Sequence, residues 1–209
     1  MAMTERKGDW MQTFTGRQYW PLDPRADEVD PVDIAHHLSM ICRYCGASTR
    51  FYSVAEHTLG VLYVGLREAD RRLPAFARYS RLVIAALLLH DAAEAYCHDL
   101  IRPIKRSVVG YDEIEQLNML AILQRFRLDP LDIHCFVELM KRADNAMLLA
   151  EQAALMKPAP AQWMPVVVPD AMVRDAARYL RLNRWMPWRK WRWWVKREML
   201  RQMRRVGLV

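Results

Sequence analysis

Between Leu82 and Leu89 the chain runs LVIAALLL, the next two residues are His90 and Asp91, and Glu94 follows one helical turn later. A helix apolar on every side is buried, so this one carries an imidazole and two carboxylates into a low-dielectric interior. Ionisable groups tolerate such burial only when they are paired or bind a metal. The rest of the chain therefore has to bring partners to this point.

Candidate partners recur at helical spacing. Ser53-x-x-Glu56 reads as a capping box, which starts a helix at Ser53. His57 shares a face with Val61 and Val64 and points inward. Taken alone, an inward histidine is more often a hydrogen-bonded core residue than a ligand. Asp129-Pro130 caps and opens a helix to about Lys157, with the apolar stripe Ile133, Phe136/Val137, Met140 and Met147/Leu148. Asp144 falls on that stripe, where a carboxylate needs a partner and a metal is a natural one.

The remaining periodicity is helical as well. Asp33 is expected to cap a helix to about Cys42, and Ser80 to cap the central helix after a polar break at READRRLPAFARY. Tyr111–Arg127 is expected to bury Ile114, Leu117, Leu120/Ala121 and Leu123, and Asp170 to cap a helix to about Asn183. No stretch alternates with period two for more than a few residues. The predicted fold class is all-α, a single helical bundle of five to seven helices. It divides into an N-terminal arm (1–33) anchored by Trp20 and Leu22, a helical core (34–157) and C-terminal helices (158–209).

His57, His90, Asp91 and Asp144 thus offer two imidazoles and two carboxylates from three inward-facing helices. A mixed nitrogen and oxygen set of this kind suits one divalent ion such as Mn²⁺, Fe²⁺, Co²⁺, Zn²⁺ or Ni²⁺. Positions remain on such an ion for water or a phosphoryl oxygen. The order H…HD…D, each on a helix, resembles the HD-domain metal-dependent phosphohydrolases. RFYSVAEHT (50–58), HDAAEAYCHDL (90–100) and KRADN (141–145) are similar to the branch that holds the bacterial 5′-deoxynucleotidases and the phage-type deoxynucleoside triphosphatases. The LSMICRYCG lead-in resembles the phage-borne members, and the likeness covers roughly residues 30–150.

That resemblance implies metal ligation by His57, His90, Asp91 and Asp144, and catalytic roles for Glu94 and Asp99. It implies hydrolysis of a deoxynucleotide: a 5′-monophosphate first, a triphosphate (dATP among them) as the close alternative, with Mg²⁺ an option at the substrate phosphates. Phosphoester cleavage also needs cations; Arg43, Lys105 and Lys141 are the candidates. Arg43-Tyr44 stands where relatives contact phosphate and base or sugar with an Arg and an aromatic, commonly Trp. Arg50 either contacts substrate or anchors its loop. Relatives are often homo-oligomers.

Composition excludes several other classes. Of 209 residues 53% are apolar and 26% charged, which describes a globular chain rather than a disordered one. No apolar run approaches the about 20 residues of a membrane span, and MAMTERKGDW holds no apolar signal-peptide core, so a cytoplasmic protein is expected. Cys42-Arg-Tyr-Cys45 is half of a zinc site at most and is expected to be structural or incidental; His36-His37 has no partner at ligand spacing and is expected to be structural or at the surface. Residues 184–205 carry nine Arg or Lys against Glu198, so the net charge of +7 belongs to this tail. Five of the eight tryptophans lie there too, and after Pro187 the residues Trp188, Trp191, Val195 and Met199 form a helical stripe. Docking on the bundle is the plainest reading; a membrane surface, nucleic acid or another subunit are the other contacts such a tail can make. A non-catalytic binding module built on it is the more distant alternative to an enzyme.

Overall fold

The computed structural model describes residues 6–72, 76–161, 163, 165–182 and 188–209, the side chains of 76–80 and 188–191 excepted. After a two-residue antiparallel pair, β1 (Met11–Gln12) with β2 (Gln18–Tyr19), the chain is helical. The order is α1 (Pro31–Met40), α2 (Val54–Arg72), α3 (Phe76–Leu89), α4 (Glu94–Cys97), α5 (Arg102–Lys105), α6 (Tyr111–Arg125), α7 (Pro130–His134), α8 (Val137–Leu155), α9 (Asp170–Leu182) and α10 (Trp188–Arg205). Seven of these helices have ten residues or more, and the architecture is the expected all-α bundle. Among the described residues no helix is long and apolar enough to cross a membrane.

α2 is the axis of the bundle. It packs against α1, α3, α8, α9 and α10, and Val54, Ala55, Val61 and Val64 on it have no solvent exposure. Its contact with α3 is close enough to require glycine. A Cβ on Gly65 would stand 2.5 Å from Leu87 Cδ2, and Leu87 is itself fully buried. This approach sets the distance between the helix that carries His57 and the one that ends at His90. Val195, Met199 and Met203 of α10, which packs on α1, α2 and α3, are fully buried in the same core. The C-terminal helix therefore docks a stripe on the bundle; Pro187 and the Trp188 and Trp191 side chains lie outside the described residues.

Several local expectations are corrected. Asp30, with Pro31 behind it, caps α1 by accepting from the Val32 amide at 2.8 Å. Asp33 is buried inside the helix instead, where it accepts from the amide and hydroxyl of Thr15 at 2.7 and 2.8 Å. α2 continues through READRR, and α3 begins at Phe76, so Ser80 lies within the helix. In α6 Leu117 and Leu120 are 44% exposed. The buried face turns on Asn118, which accepts from the Tyr19 hydroxyl at 2.7 Å and donates to the Pro21 carbonyl at 2.9 Å. A polar residue took the place in the core that periodicity alone assigns to leucine. The helix opened by Pro130 breaks at Cys135-Phe136, dividing it into α7 and α8.

The arm is anchored by Tyr19, which has no exposure, rather than by the half-buried Trp20 and Leu22. Its ring stacks on Tyr96 of α4 with centroids 3.9 Å apart. His36 and His37 are structural, as expected. His36 stacks on Phe14 at 3.6 Å, and His37 bridges the Phe14 amide and the Ala95 carbonyl at 3.1 and 2.8 Å.

Gly65→Ala should lower the stability of the fold by about 1–3 kcal/mol, the usual cost of overpacking a core. Urea unfolding measures it; an unchanged midpoint would mean that α3 can shift away from α2 freely.

Candidate metal centre

Three elements converge at the inner end of α2. His57 sits there with no exposure. His90 and Asp91 leave the end of α3, and Asp144 projects from α8. Nε2 of His57 is 3.1 Å from Asp144 Oδ1 and 3.8 Å from Asp91 Oδ2, and Nε2 of His90 is 3.1 Å from Asp91 Oδ2. Donor atoms of His57, His90 and Asp144 all lie within 4.8 Å of one another. The expected continuous helix through His90, Asp91 and Glu94 is not formed. His90 Nδ1 donates to the Leu87 carbonyl at 2.9 Å, the acceptor that the Asp91 amide would use in a continued helix. A tight turn follows (Ala92 N to Leu89 O 3.0 Å, Glu94 N to Asp91 O 3.1 Å), and α4 restarts at Glu94.

The second nitrogen of each histidine fixes the first. A carbonyl only accepts, so His90 Nδ1 carries the proton; His57 Nδ1 donates in the same way to Glu151 Oε1 at 2.6 Å. Both Nε2 atoms therefore face the cluster, and both are buried without a hydrogen-bond partner among the described residues. Two orphaned imidazole nitrogens converging on two carboxylates are what a divalent cation satisfies. The residues present fit that role, with His57, His90 and Asp144 as ligands and Asp91 beside them.

Glu151 was not singled out from the sequence. Fully buried, it also accepts from the Tyr52 hydroxyl at 2.7 Å and from the Tyr44 hydroxyl, and Arg43 Nε is 3.5 Å away. Burial works against its charge, but His57, Arg43 and these hydroxyls outweigh that and hold the carboxyl at about 2. The signal was present: Glu151 stands seven residues after Asp144 and four after Met147, on the same helical face.

The electrostatics separate the acids into two classes. Asp91 and Asp144 stay ionised despite burial, Asp91 because of His90, His57 and Arg43, Asp144 because of His57. Glu94 is raised well above its ordinary value by burial and by Asp91 and Asp99, and its Oε2 is buried without a partner. Asp99 is raised by burial and by Asp91. His57 is desolvated and faces Arg43, yet Glu151 and Asp144 raise the metal-free imidazole to about 9.

The expected cations are placed unevenly. Arg43 reaches the centre, its Nη1 3.7 Å from Asp91 Oδ2. Tyr44 lends its hydroxyl to Glu151, and its ring lies 6.3 Å from that of Trp163. Arg50 clamps the Glu56 carboxylate at 2.6 and 3.0 Å and donates to the Phe51 carbonyl at 3.0 Å, which is the loop-anchoring alternative. Lys105 pairs with Glu115 at 2.7 Å, and Lys141 is exposed one turn before Asp144. Arg102, half exposed, has Nη2 3.6 Å from Asp144 Oδ2.

Two outcomes follow from Glu151. Glu151→Gln should weaken Mn²⁺ binding by about 10–100-fold, the usual effect of losing a carboxylate behind a ligand histidine, as read by titration calorimetry. In the metal-free protein the lowered Glu151 contributes stability above its ordinary 4.5, lost as pH falls toward about 2. The raised His57 contributes stability below its ordinary 6.5, lost as pH rises through about 9. Metal-free Tm should therefore fall on both sides of pH 4.5–6.5, and Glu151→Gln should flatten both limbs.

No family model matches the sequence. Over 146 residues the chain is 32% identical to the uncharacterized protein YfdR of Escherichia coli K12, covering 70% of this chain and 72% of YfdR. Over 153 residues it is 35% identical to the uncharacterized protein RCAP_rcc00048 of Rhodobacter capsulatus, covering 71% of this chain and 74% of that protein. At this identity and coverage the chain belongs to the family that includes YfdR and RCAP_rcc00048.

Proposed function

We propose that the chain is a metal-dependent phosphohydrolase of the HD-domain type that releases phosphate from deoxynucleoside 5′-monophosphates. The observation that carries this reading is the pair of partnerless, buried Nε2 atoms beside Asp91 and Asp144, with an unpartnered buried carboxyl, Glu94, next to them. A divalent ion held by this set supplies Lewis acidity toward a phosphoryl oxygen and eases the deprotonation of water.

The residues divide the remaining work. Water oxygen bonds to phosphorus as the bond to the 5′ oxygen breaks. Asp99, made more basic by burial and by Asp91, takes the water proton. Glu94, kept protonated by burial and its acidic neighbours, gives its proton to the departing oxygen. Arg43 faces the charge that develops on the phosphoryl group. The distribution of cations favours a monophosphate over a triphosphate: of the three candidates, Arg43 and Lys105 already face acids, which leaves Lys141 for a longer phosphate chain.

The test is product analysis with Mn²⁺ or Co²⁺ and the four deoxynucleotides as mono-, di- and triphosphates. Nucleoside and orthophosphate from the monophosphates are expected. Asp91→Ala should abolish hydrolysis and metal binding together. Glu94→Gln should keep the metal and lower turnover by about 10²–10⁴-fold, the range for losing a general acid. Full activity in the Glu94 variant would remove that residue from the reaction.

A further inference from the structure

His98, which follows α4, has φ 73° and ψ 159°, a conformation almost confined to glycine. The surroundings enforce it. Its amide donates to the Glu94 carbonyl at 2.9 Å, closing α4. The Tyr111 hydroxyl holds its carbonyl from the other side and reaches that of Cys97 at 3.3 Å. Glycine would relieve the strain, so a histidine here is best explained by its side chain.

His98, itself exposed, is one of the residues that line an open depression of about 880 Å³, bounded by the arm at Phe14, by α1 at His37 and Met40, and by α4 at Glu94. The volume is within the range of sites for small organic ligands, about 300–1,000 Å³. Glu94 belongs to both spaces. It lies electrostatically beside Asp91 and Asp99, lines the cavity, and keeps a buried oxygen without a partner. His98 Nδ1 is 3.1 Å from the Asp99 carbonyl, which only accepts. Nδ1 therefore carries the proton and Nε2 is left as an acceptor.

We propose that this cavity is the leaving-group subsite, and that His98 Nε2 accepts a hydrogen bond from a hydroxyl of the alcohol released from the phosphoester. The inference rests on the phosphohydrolase reading, under which the alcohol is a deoxynucleoside. Glu94, at the wall between the metal centre and the cavity, is then placed to protonate the oxygen that joins the two halves of the substrate.

The experiment compares the wild type with His98→Gly, His98→Ala and His98→Asn. It reads Tm, Mn²⁺ affinity, steady-state kinetics on deoxynucleoside monophosphates and inhibition by the product deoxynucleosides. His98→Gly should raise Tm by roughly 2–4 °C through relief of strain. It should leave Mn²⁺ affinity unchanged and raise both KM and the product inhibition constant by up to about tenfold, the loss of one hydrogen bond. His98→Ala should show the kinetic loss without the gain in Tm. His98→Asn keeps a side-chain acceptor and tolerates positive φ, so it should recover part of the affinity. Wild-type turnover with KM and product inhibition unchanged in His98→Gly would overturn the role of His98 alone. Mn²⁺ binding without hydrolysis of any deoxynucleotide would overturn the phosphohydrolase reading and the subsite with it.

Discussion

A carboxylate without solvent exposure is the interaction on which the centre depends. Glu151 remains ionised because His57 of α2 and Arg43, Tyr44 and Tyr52 of the segment before α2 converge on it. It joins α8 to α2 and to the segment between α1 and α2. Removing one partner of such a group leaves an uncompensated buried charge, which costs more than the single contact contributes. The same set of contacts sets the tautomer of His57, so the order of the loop around residues 43–52 and the direction of a ligand lone pair are one property.

Around this anchor the environment distributes protons. Asp91 and Asp144 lie against imidazoles and a guanidinium and stay charged. Glu94 is a few residues away, but burial and neighbouring negative charge favour its neutral form, and the same causes make Asp99 more basic than an ordinary aspartate. Environments that push the pKa values of neighbouring acids apart leave some of them charged, as a cation requires, and others able to carry a proton, the division of labour that the proposed reaction uses. The break in the helix after Leu89 places Glu94 at the start of a new helix, α4, instead of in the ladder that ends at Leu89.

Much of this was legible in the chain. Apolar runs and helical spacing place His57, His90, Asp91 and Asp144 inward, and the bundle brings them within reach of one another. Periodicity could not say where a helix stops for a side-chain reason, as at His90, which competes for the Leu87 carbonyl. Nor could it show that Asn118 rather than Leu117 belongs in the core, since that depends on where the Tyr19 hydroxyl and the Pro21 carbonyl arrive. Cation placement was the least legible. Arg50, Lys105 and Lys141 sit at suggestive positions in the sequence, but Arg50 is taken by Glu56 and Lys105 by Glu115, and Lys141 is exposed, which the folded arrangement decides.

The stack of Tyr19 on Tyr96 joins the N-terminal arm to the short helix that carries Glu94. Tyr96 is also tied to the start of α1, its hydroxyl lying 3.3 Å from the Asp30 amide. A four-residue helix has too little internal hydrogen bonding to hold itself, so α4 borrows its rigidity from a segment nearly eighty residues earlier. Local opening of the arm and local opening of the acid-bearing turn are then a single cooperative event. Fluctuations at the periphery of the bundle are in this way coupled to the position of Glu94.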